Sequence, residues 1–335
     1  MFGNTDDHDE MKTSNGERRP LVSVVVPTYD RPGMLVEAVE SVAAQRYPNI
    51  ELIVVDDGSP TAAATVLEDW APNDLTWRSL RHEENRGANA ARNSGIRDAS
   101  GDVIAFLDDD DRWLPETVAA QVAALDEAEA GAVLVGQRML SERGEVTIRL
   151  PSVDGDATAA LITGEPAGTF STLAVRREAV DAAGLPDERF PALQDREWMV
   201  RLSQHCEFVS LREPLVERRF GDYDQINDDY QSKRDTTVPL FVDKHAELAA
   251  ACGHERQFRA WLATSVAGSG LVNGSYDDAR RFAARAIKTD PRSQLAYVYL
   301  LLALGGRITY RPAVRLARIG RKIKGRMPNR RGLSG

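Results

Sequence analysis

Cysteine is nearly absent from this chain of 335 residues: Cys206 and Cys252 are the only two, far apart and in no metal-ligand spacing. That excludes a disulfide framework and a cysteine-held metal, and it fits a reducing compartment. The five histidines, His8, His82, His205, His245 and His254, form no ligand spacing either. Long apolar runs are missing as well, since nothing approaches the roughly 18 residues needed to span a bilayer. The longest, "LAYVYLLLALGG" (295–306), is too short to cross and is expected to be a buried helix. The opening "MFGNTDDHDEMKTSNGERRP" has no apolar core, so it reads as a disordered leader over 1–19 and not as a secretory signal. Lysine is scarce, at six of 42 basic residues.

What is present suits a globular protein. A hydrophobic content of 42% and five tryptophans allow a real core, and the length allows one large domain with an accessory piece, or two domains. The net charge of −9 is unevenly spread. Residues 306–335 hold ten Arg or Lys and no acid, so the 32 basic and 51 acidic residues before them leave −19. An acidic, Lys-poor, Arg- and Ala-rich body fits a halophile or a GC-rich genome alike, and no nucleic-acid partner is expected.

"PLVSVVVPTYD" (20–30) is a β-branched run ended by a turn, which predicts a buried strand. Apolar Leu35, Ala38, Val39, Val42 and Ala43 follow at helical spacing, and Pro48 closes that helix. "NIELIVVDDGSP" predicts a second strand. Next come a helix (61–70), a strand near 76–82, a helix at about 87–98 and the strand "DVIAFLD". This alternation predicts a mostly parallel sheet with helices on both faces. Further strands are expected near 132–139 and 168–175, a helix at about 194–204, a polar loop or flap over 216–240, and helices throughout 241–304.

Ligands of such sheets bind beyond the carboxyl ends of the strands. "PTYD", "DDGS" and "DDDD" each stand at such an end, and three polar clusters closing successive strands point to one shared site.

These ordered motifs carry a resemblance. "VSVVVPTYDRPGMLVEAVESVAAQRYPNIELIVVDDGS", "NRGANAARNSGIRDASGDVIAFLDDDD" and "GLPDERFPALQDREWMVRL" resemble the family 2 glycosyltransferases of the GT-A fold, over roughly 20–220. The resemblance implies a GT-A, Rossmann-like α/β domain that binds a nucleotide-sugar, UDP-linked, with Mg²⁺ or Mn²⁺. It further implies transfer of the sugar to an acceptor hydroxyl with inversion. A hard dication held by carboxylates neutralises the diphosphate as the sugar leaves.

By this resemblance Asp108-x-Asp110 is the metal element. Asp110 is the metal ligand, and Asp108 or Asp109 serves the ribose or a metal-bound water. The register is ambiguous by one, with Asp111 a candidate cap for the next turn. Asp57 corresponds to the uracil-reading aspartate, with Asp56 structural. Pro27, Thr28 and Tyr29 hold base and ribose. Arg92 either lines the nucleotide pocket or is an exposed helix arginine, and Asn93 is a weaker candidate. "LQDREW" matches an acidic element in which Gln194 replaces the usual Glu, so Asp195 is the general base, or a helix cap, with Glu197 the competing carboxylate. Relatives place a histidine after the last core strand. Here Arg218 and Arg219 stand near that point with no histidine, and an arginine there is a candidate to stabilise the leaving diphosphate.

The expected organisation is a leader (1–19), the glycosyltransferase domain (20–220), a loop and helical hairpin region (221–305), and a basic amphipathic tail (306–335). "GSYDDARRFAARAIKTDP" (274–291) matches the second half of one tetratricopeptide hairpin, through Gly274, Tyr276, Ala279, Ala286 and Pro291. After Pro312, Leu316, Ile319, Ile323 and Met327 recur at three- and four-residue steps among Arg and Lys, a pattern that suits an anionic membrane surface or a disordered tail. A cytoplasmic protein, peripheral on the membrane's inner face, with a lipid-linked acceptor such as a polyprenyl or dolichol phosphate glycan, is therefore expected. A surface glycan or a protein glycan is the expected product. Two alternatives stay open: a nucleotidyltransferase making an activated sugar, which lacks its usual Gly-rich basic loop in "PTYDRPGM", and a non-catalytic partner-binding protein.

Overall fold

The computed structural model describes residues 19–310 and 312, apart from 71, 73–74, 142–145 and 221–229. The leader up to residue 18 and the basic stretch after Pro312 lie outside the described residues. The chain divides into two compact units, Met1–Asp222 and Tyr223–Gly335.

The first unit begins β1 (Val22–Thr28), α1 (Pro32–Ala43), β2 (Ile50–Asp56), α2 (Ala63–Val66), β3 (Thr76–Arg81), α3 (Ala88–Asp98), β4 (Val103–Phe106). It continues β5 (Asp111–Trp113), α4 (Thr117–Glu127), β6 (Ala132–Ser141), β7 (Val146–Arg149), α5 (Thr158–Thr163), β8 (Leu173–Arg176), α6 (Arg177–Ala183), α7 (Gln194–Leu202) and β9 (Phe208–Phe220). Strands β3, β2, β1 and β4 are parallel neighbours in that order. Both β1 and β2 are buried along their whole length, as continuous apolar runs covered on two faces must be. The sheet then runs on through β8, β6, β9 and β5, with β7 paired to β6.

Helix α1 buries Leu35, Ala38, Val39 and Val42 at the expected spacing, leaving Ala43 exposed. Helix α2 is shorter than expected, because beyond Leu67 the chain leaves the helical path and Trp70 packs edge-on against Trp77 at 5.3 Å. The largest difference concerns 216–240. Residues up to Phe220 are not a loop but the end of β9, paired on one side with β6 and on the other with β5. Their polar character misleads because the charges are met by distant partners: Glu217 faces Arg112 and Arg138, and Arg218 faces Asp111, on neighbouring strands, while Arg219 pairs with Glu37 of α1. Residues 230–240 are helical.

In the second unit α8 (Tyr230–Ser232) passes through a π turn (Lys233–Thr237) into α9 (Val238–Ala251). Helices α10 (Glu255–Val272), α11 (Tyr276–Thr289) and α12 (Gln294–Leu304) follow. Their contacts are lined by Ala260, Ala263, Ala279, Ala283, Ala286 and Ala296, small side chains that let the helix axes approach. Helix α12 is not the buried helix its composition predicts. Only Ala296 and Ala303 are buried there, since among the described residues of its unit the helix has neighbours on one side alone. No helix among the described residues is long and apolar enough to cross a membrane.

Candidate active site

The carboxyl ends of β1, β2 and β4 lie side by side and carry the three polar clusters. Asp56 ends β2 fully buried. Burial pushes its carboxyl up, but the Ser59 and Ala63 backbone N–H groups and Arg81 hold it below the ordinary value. Asp57 follows and fixes the loop before α3. Its Oδ1 meets His82 Nδ1 at 2.7 Å and accepts the Arg86 N–H at 3.0 Å, and its Oδ2 accepts the Gly87 N–H at 2.7 Å. Oδ2, with one donor, keeps a lone-pair direction open. Gly58 is required between them: its φ is +82°, and a Cβ would sit 2.7 Å from the Glu84 carbonyl carbon. Pro27 and Thr28 are buried at the end of β1, and Tyr29 is exposed at the rim.

Between β4 and β5 the aspartate run folds back on itself, with the Asp111 N–H donating to the Asp108 carbonyl at 3.0 Å. The turn splits the four acids. Asp109 points to β1, accepting from Thr28 Oγ1 at 2.7 Å and Arg31 Nη1 at 3.1 Å. Burial pushes its carboxyl up to about 6 against the pull of Arg31 and Thr28. Asp108, Asp110 and Asp111 instead each bring an oxygen within 4.8 Å of the others. Burial, then the charge of Asp108, raises Asp110, and burial with the charge of Asp110 drives Asp111 well above the usual carboxylate range. Asp111 is 1% exposed, and neither of its oxygens has a hydrogen-bond partner. The Arg218 guanidinium, with Nε 4.0 Å from Oδ1, offsets this only in part. It opens β5 and caps no helix, so the capping alternative is set aside. Like charges converging on one point, one of them buried without a hydrogen bond, suit a hard dication, and an all-carboxylate donor set suits Mg²⁺ or Mn²⁺.

Arg92 is buried, not exposed on its helix. Its guanidinium lies 3.9 Å over the Phe170 ring, donates to Asp108 at 2.5 Å, and donates to Asn89 and Gln194 at 3.1 Å each. Phe170 in turn stacks on Trp198 of α7, and Phe106 of β4 packs edge-on against both. One arginine thus ties α3, the aspartate turn and the head of α7 together. Asn93, also on α3, donates to the Pro186 carbonyl and to Glu188.

Leu193, in the left-handed region at φ 55°, turns the chain into α7 and sets Asp195 in its first turn. Asp195 accepts the Arg196 N–H at 2.7 Å and is half-buried. Glu197 is buried and held by Arg201 at 2.9 and 3.2 Å, so it is not a free carboxylate competing with Asp195. On β9 the two arginines take opposite faces, as strand alternation requires. Of the two sequence candidates, Arg219 pairs with Glu37, whereas Arg218 feels Asp111, Asp108, Asp110 and Asp195, which hold its guanidinium charged despite burial. Sequence reasoning missed Arg31, His82, Phe170 and the part played by Asp111. Strand alternation past Val216 was the one signal able to separate Arg218 from Arg219.

Residues 23–182 match the family described as Glycosyl transferase family 2. The chain carries a family 2 glycosyltransferase domain. TuaG of Bacillus subtilis (strain 168), named for teichuronic acid biosynthesis, is 32% identical over 126 residues, 38% of this chain and 50% of that protein. The matched part spans half the length or less of the curated relatives. Among solved structures, S. aureus TarS in complex with UDP-GlcNAc superposes with a TM-score of 0.54 at 18% identity, covering 83% of this chain and 91% of that one. The mannosyltransferase PcManGT from Pyrobaculum calidifontis, in complex with GDP-Man and Mn²⁺, gives 0.54 at 19%, covering 85% and 86%. At these identities the likeness is one of fold: the family 2 domain has the GT-A architecture, with a helical region after it.

Proposed function

We propose that this chain is an inverting, metal-dependent glycosyltransferase that moves a sugar from a UDP-linked donor to a hydroxyl acceptor. The observation that carries the reading is the meeting of Asp108, Asp110 and Asp111 at the carboxyl end of the parallel strands, with Asp195 in electrostatic reach through Arg218. The three carboxylates are suited to hold Mg²⁺ or Mn²⁺, and a dication bound there supplies Lewis-acid neutralisation of the leaving diphosphate.

The protein's own groups take the remaining roles. Pro27, Thr28 and Tyr29 form the edge where base and ribose dock, and Oδ2 of Asp57 accepts a base N–H. Asp109, tied to Thr28 and Arg31, joins that edge to the metal cluster. Arg92 holds Asp108 in place. Asp195 takes the acceptor's proton as its oxygen attacks the anomeric carbon. One base and one attacking oxygen make a single displacement, hence inversion with no covalent intermediate. The nucleotide-sugars bound by TarS and PcManGT and the Mn²⁺ of PcManGT support the donor class and the metal. TuaG, named for teichuronic acid biosynthesis, supports a role in polymeric glycan synthesis; in this reading the acceptor is a lipid-linked glycan (polyprenyl or dolichol phosphate). In this reading 20–220 performs transfer, and 221–305, with its single tetratricopeptide-like hairpin, is accessory.

Calorimetric titration of UDP with and without Mn²⁺, for the wild type and Asp110→Ala, tests the reading. UDP binding that needs Mn²⁺ and is lost in the variant is expected. No UDP binding under either condition would overturn the donor assignment.

A further inference from the structure

Helix α12 carries no charged residue from Gln294 to Leu304. It meets its own unit through one face, where Ala296 and Ala303 are buried and the Tyr299 ring lies against Gly268. The opposite face leaves Tyr297, Val298, Leu301 and Leu304 exposed, Leu301 at 66%, and Ile308 follows at 85%. Helical geometry puts the first four within one side of the cylinder. Single exposed apolar residues are ordinary on soluble surfaces, but a contiguous patch marks an interaction site. A helix apolar all round is one that is covered all round when it works.

Charge identifies the cover. The segment that follows this helix, 306–335, holds ten Arg and Lys and no acid, although the rest of the chain sums to −19. A second copy of the chain would bring another ten cations alongside the first. Covering by residues 313–335 themselves asks for apolar spacing but not for the exclusion of every acid. An anionic bilayer meets both features at once, with acyl chains for the apolar face and headgroups for the cations. We infer that the exposed face of α12 inserts shallowly into an anionic lipid surface, an attraction that the ten cations following it in the sequence strengthen. This docking does not rest on the sugar-transfer reading, because none of its residues belongs to the acidic site.

The test is co-sedimentation of the full chain with phosphatidylcholine vesicles, plain or containing one-third phosphatidylglycerol. Wild type is compared with the double variant Leu301→Asp, Leu304→Asp. Both positions are exposed, so an unchanged circular dichroism melt is the control for folding. Wild type is expected to bind the anionic vesicles, to release as salt rises, and to lose roughly tenfold or more of its partitioning in the double variant. Equal binding by the two proteins would overturn the inference. So would a wild type that ignores the vesicles: a dimer in the centrifuge that the variant loses would assign the face to a second copy. Monomers in both would assign it to the chain's own 313–335. A failed UDP titration with vesicle binding intact would count against sugar transfer and leave the docking surface standing.

Discussion

The Arg92 guanidinium lies flat on Phe170 and donates to Asp108 across 2.5 Å, so one buried cation fixes the first acid of the cluster. The same group holds Gln194, the neighbour of Asp195. The aspartate turn and the head of α7 therefore share a strut, and its planar fork is what serves three acceptors and a ring at once. Arg92→Lys keeps the charge and loses the fork. Losing hydrogen bonds to a charged group is worth about 1.5–3 kcal/mol, so kcat/KM should fall by roughly 10- to 100-fold. A steady-state assay of nucleotide release reads this, and an unchanged kcat/KM would mean that Asp108 holds its place without Arg92.

Asp111 is the acid whose role its own neighbourhood explains least without a cation. It is buried, driven toward protonation by Asp110, and has no hydrogen-bond partner at either oxygen. Asp111→Asn keeps the shape and removes one of the converging charges. The metal-free variant should melt higher than the metal-free wild type, by about 1–3 kcal/mol of relieved burial and repulsion. It should also lose most of the melting-point rise that Mn²⁺ gives the wild type. Scanning fluorimetry with and without Mn²⁺ measures both, and a full Mn²⁺ response in the variant would take Asp111 out of the donor set.

The parallel block is legible in the sequence because β1, β2 and β4 are unbroken apolar runs that close on turn residues. Strand β5 is not. It is three residues long, begins on an aspartate, and exists because β9, over 100 residues later, pairs with it. The polar end of β9 reads as a loop for a similar reason, since its charges are met by partners on other strands and on α1. The uncharged run of α12 announces apolar surface without saying what lies against it. At the site, chain order singles out the aspartate run. That Asp109 turns toward β1, away from the other three, goes with its bonds from Thr28 and Arg31, 81 and 78 residues away, and local pattern carries no trace of that.

Asp195 and Glu197 sit two residues apart in α7 and should respond oppositely. Asp195 is half-buried with one backbone donor, whereas Glu197 is buried against Arg201. Asp195→Asn should lower kcat by about 10²–10⁴ while leaving UDP affinity and melting temperature near wild type. Glu197→Gln should leave Arg201 short of its counter-charge, costing about 3–5 kcal/mol of stability, with a smaller effect on kcat in the folded fraction. Turnover and thermal melts of the two variants separate base from brace. A stable Glu197→Gln with abolished turnover would exchange the two assignments.

Away from the site, Glu51 on β2 links stability to acid. Burial pushes its carboxyl up, but Ser23, Arg78 and both the N–H and hydroxyl of Ser100 donate to it and bring it down to about 2 from an ordinary 4.5. The unfolded chain then takes up the proton at a higher pH than the folded one, so its stabilisation is complete above about pH 4.5. It drains away as pH falls toward 2. Urea unfolding of the wild type should therefore steepen in its acid dependence between these limits. Glu51→Gln should remove that component while costing about 1–3 kcal/mol at neutral pH, because donors aimed at a carboxylate are left with an amide. Equal acid slopes for the two proteins over this window would show that Glu51 is not a carrier of the linkage.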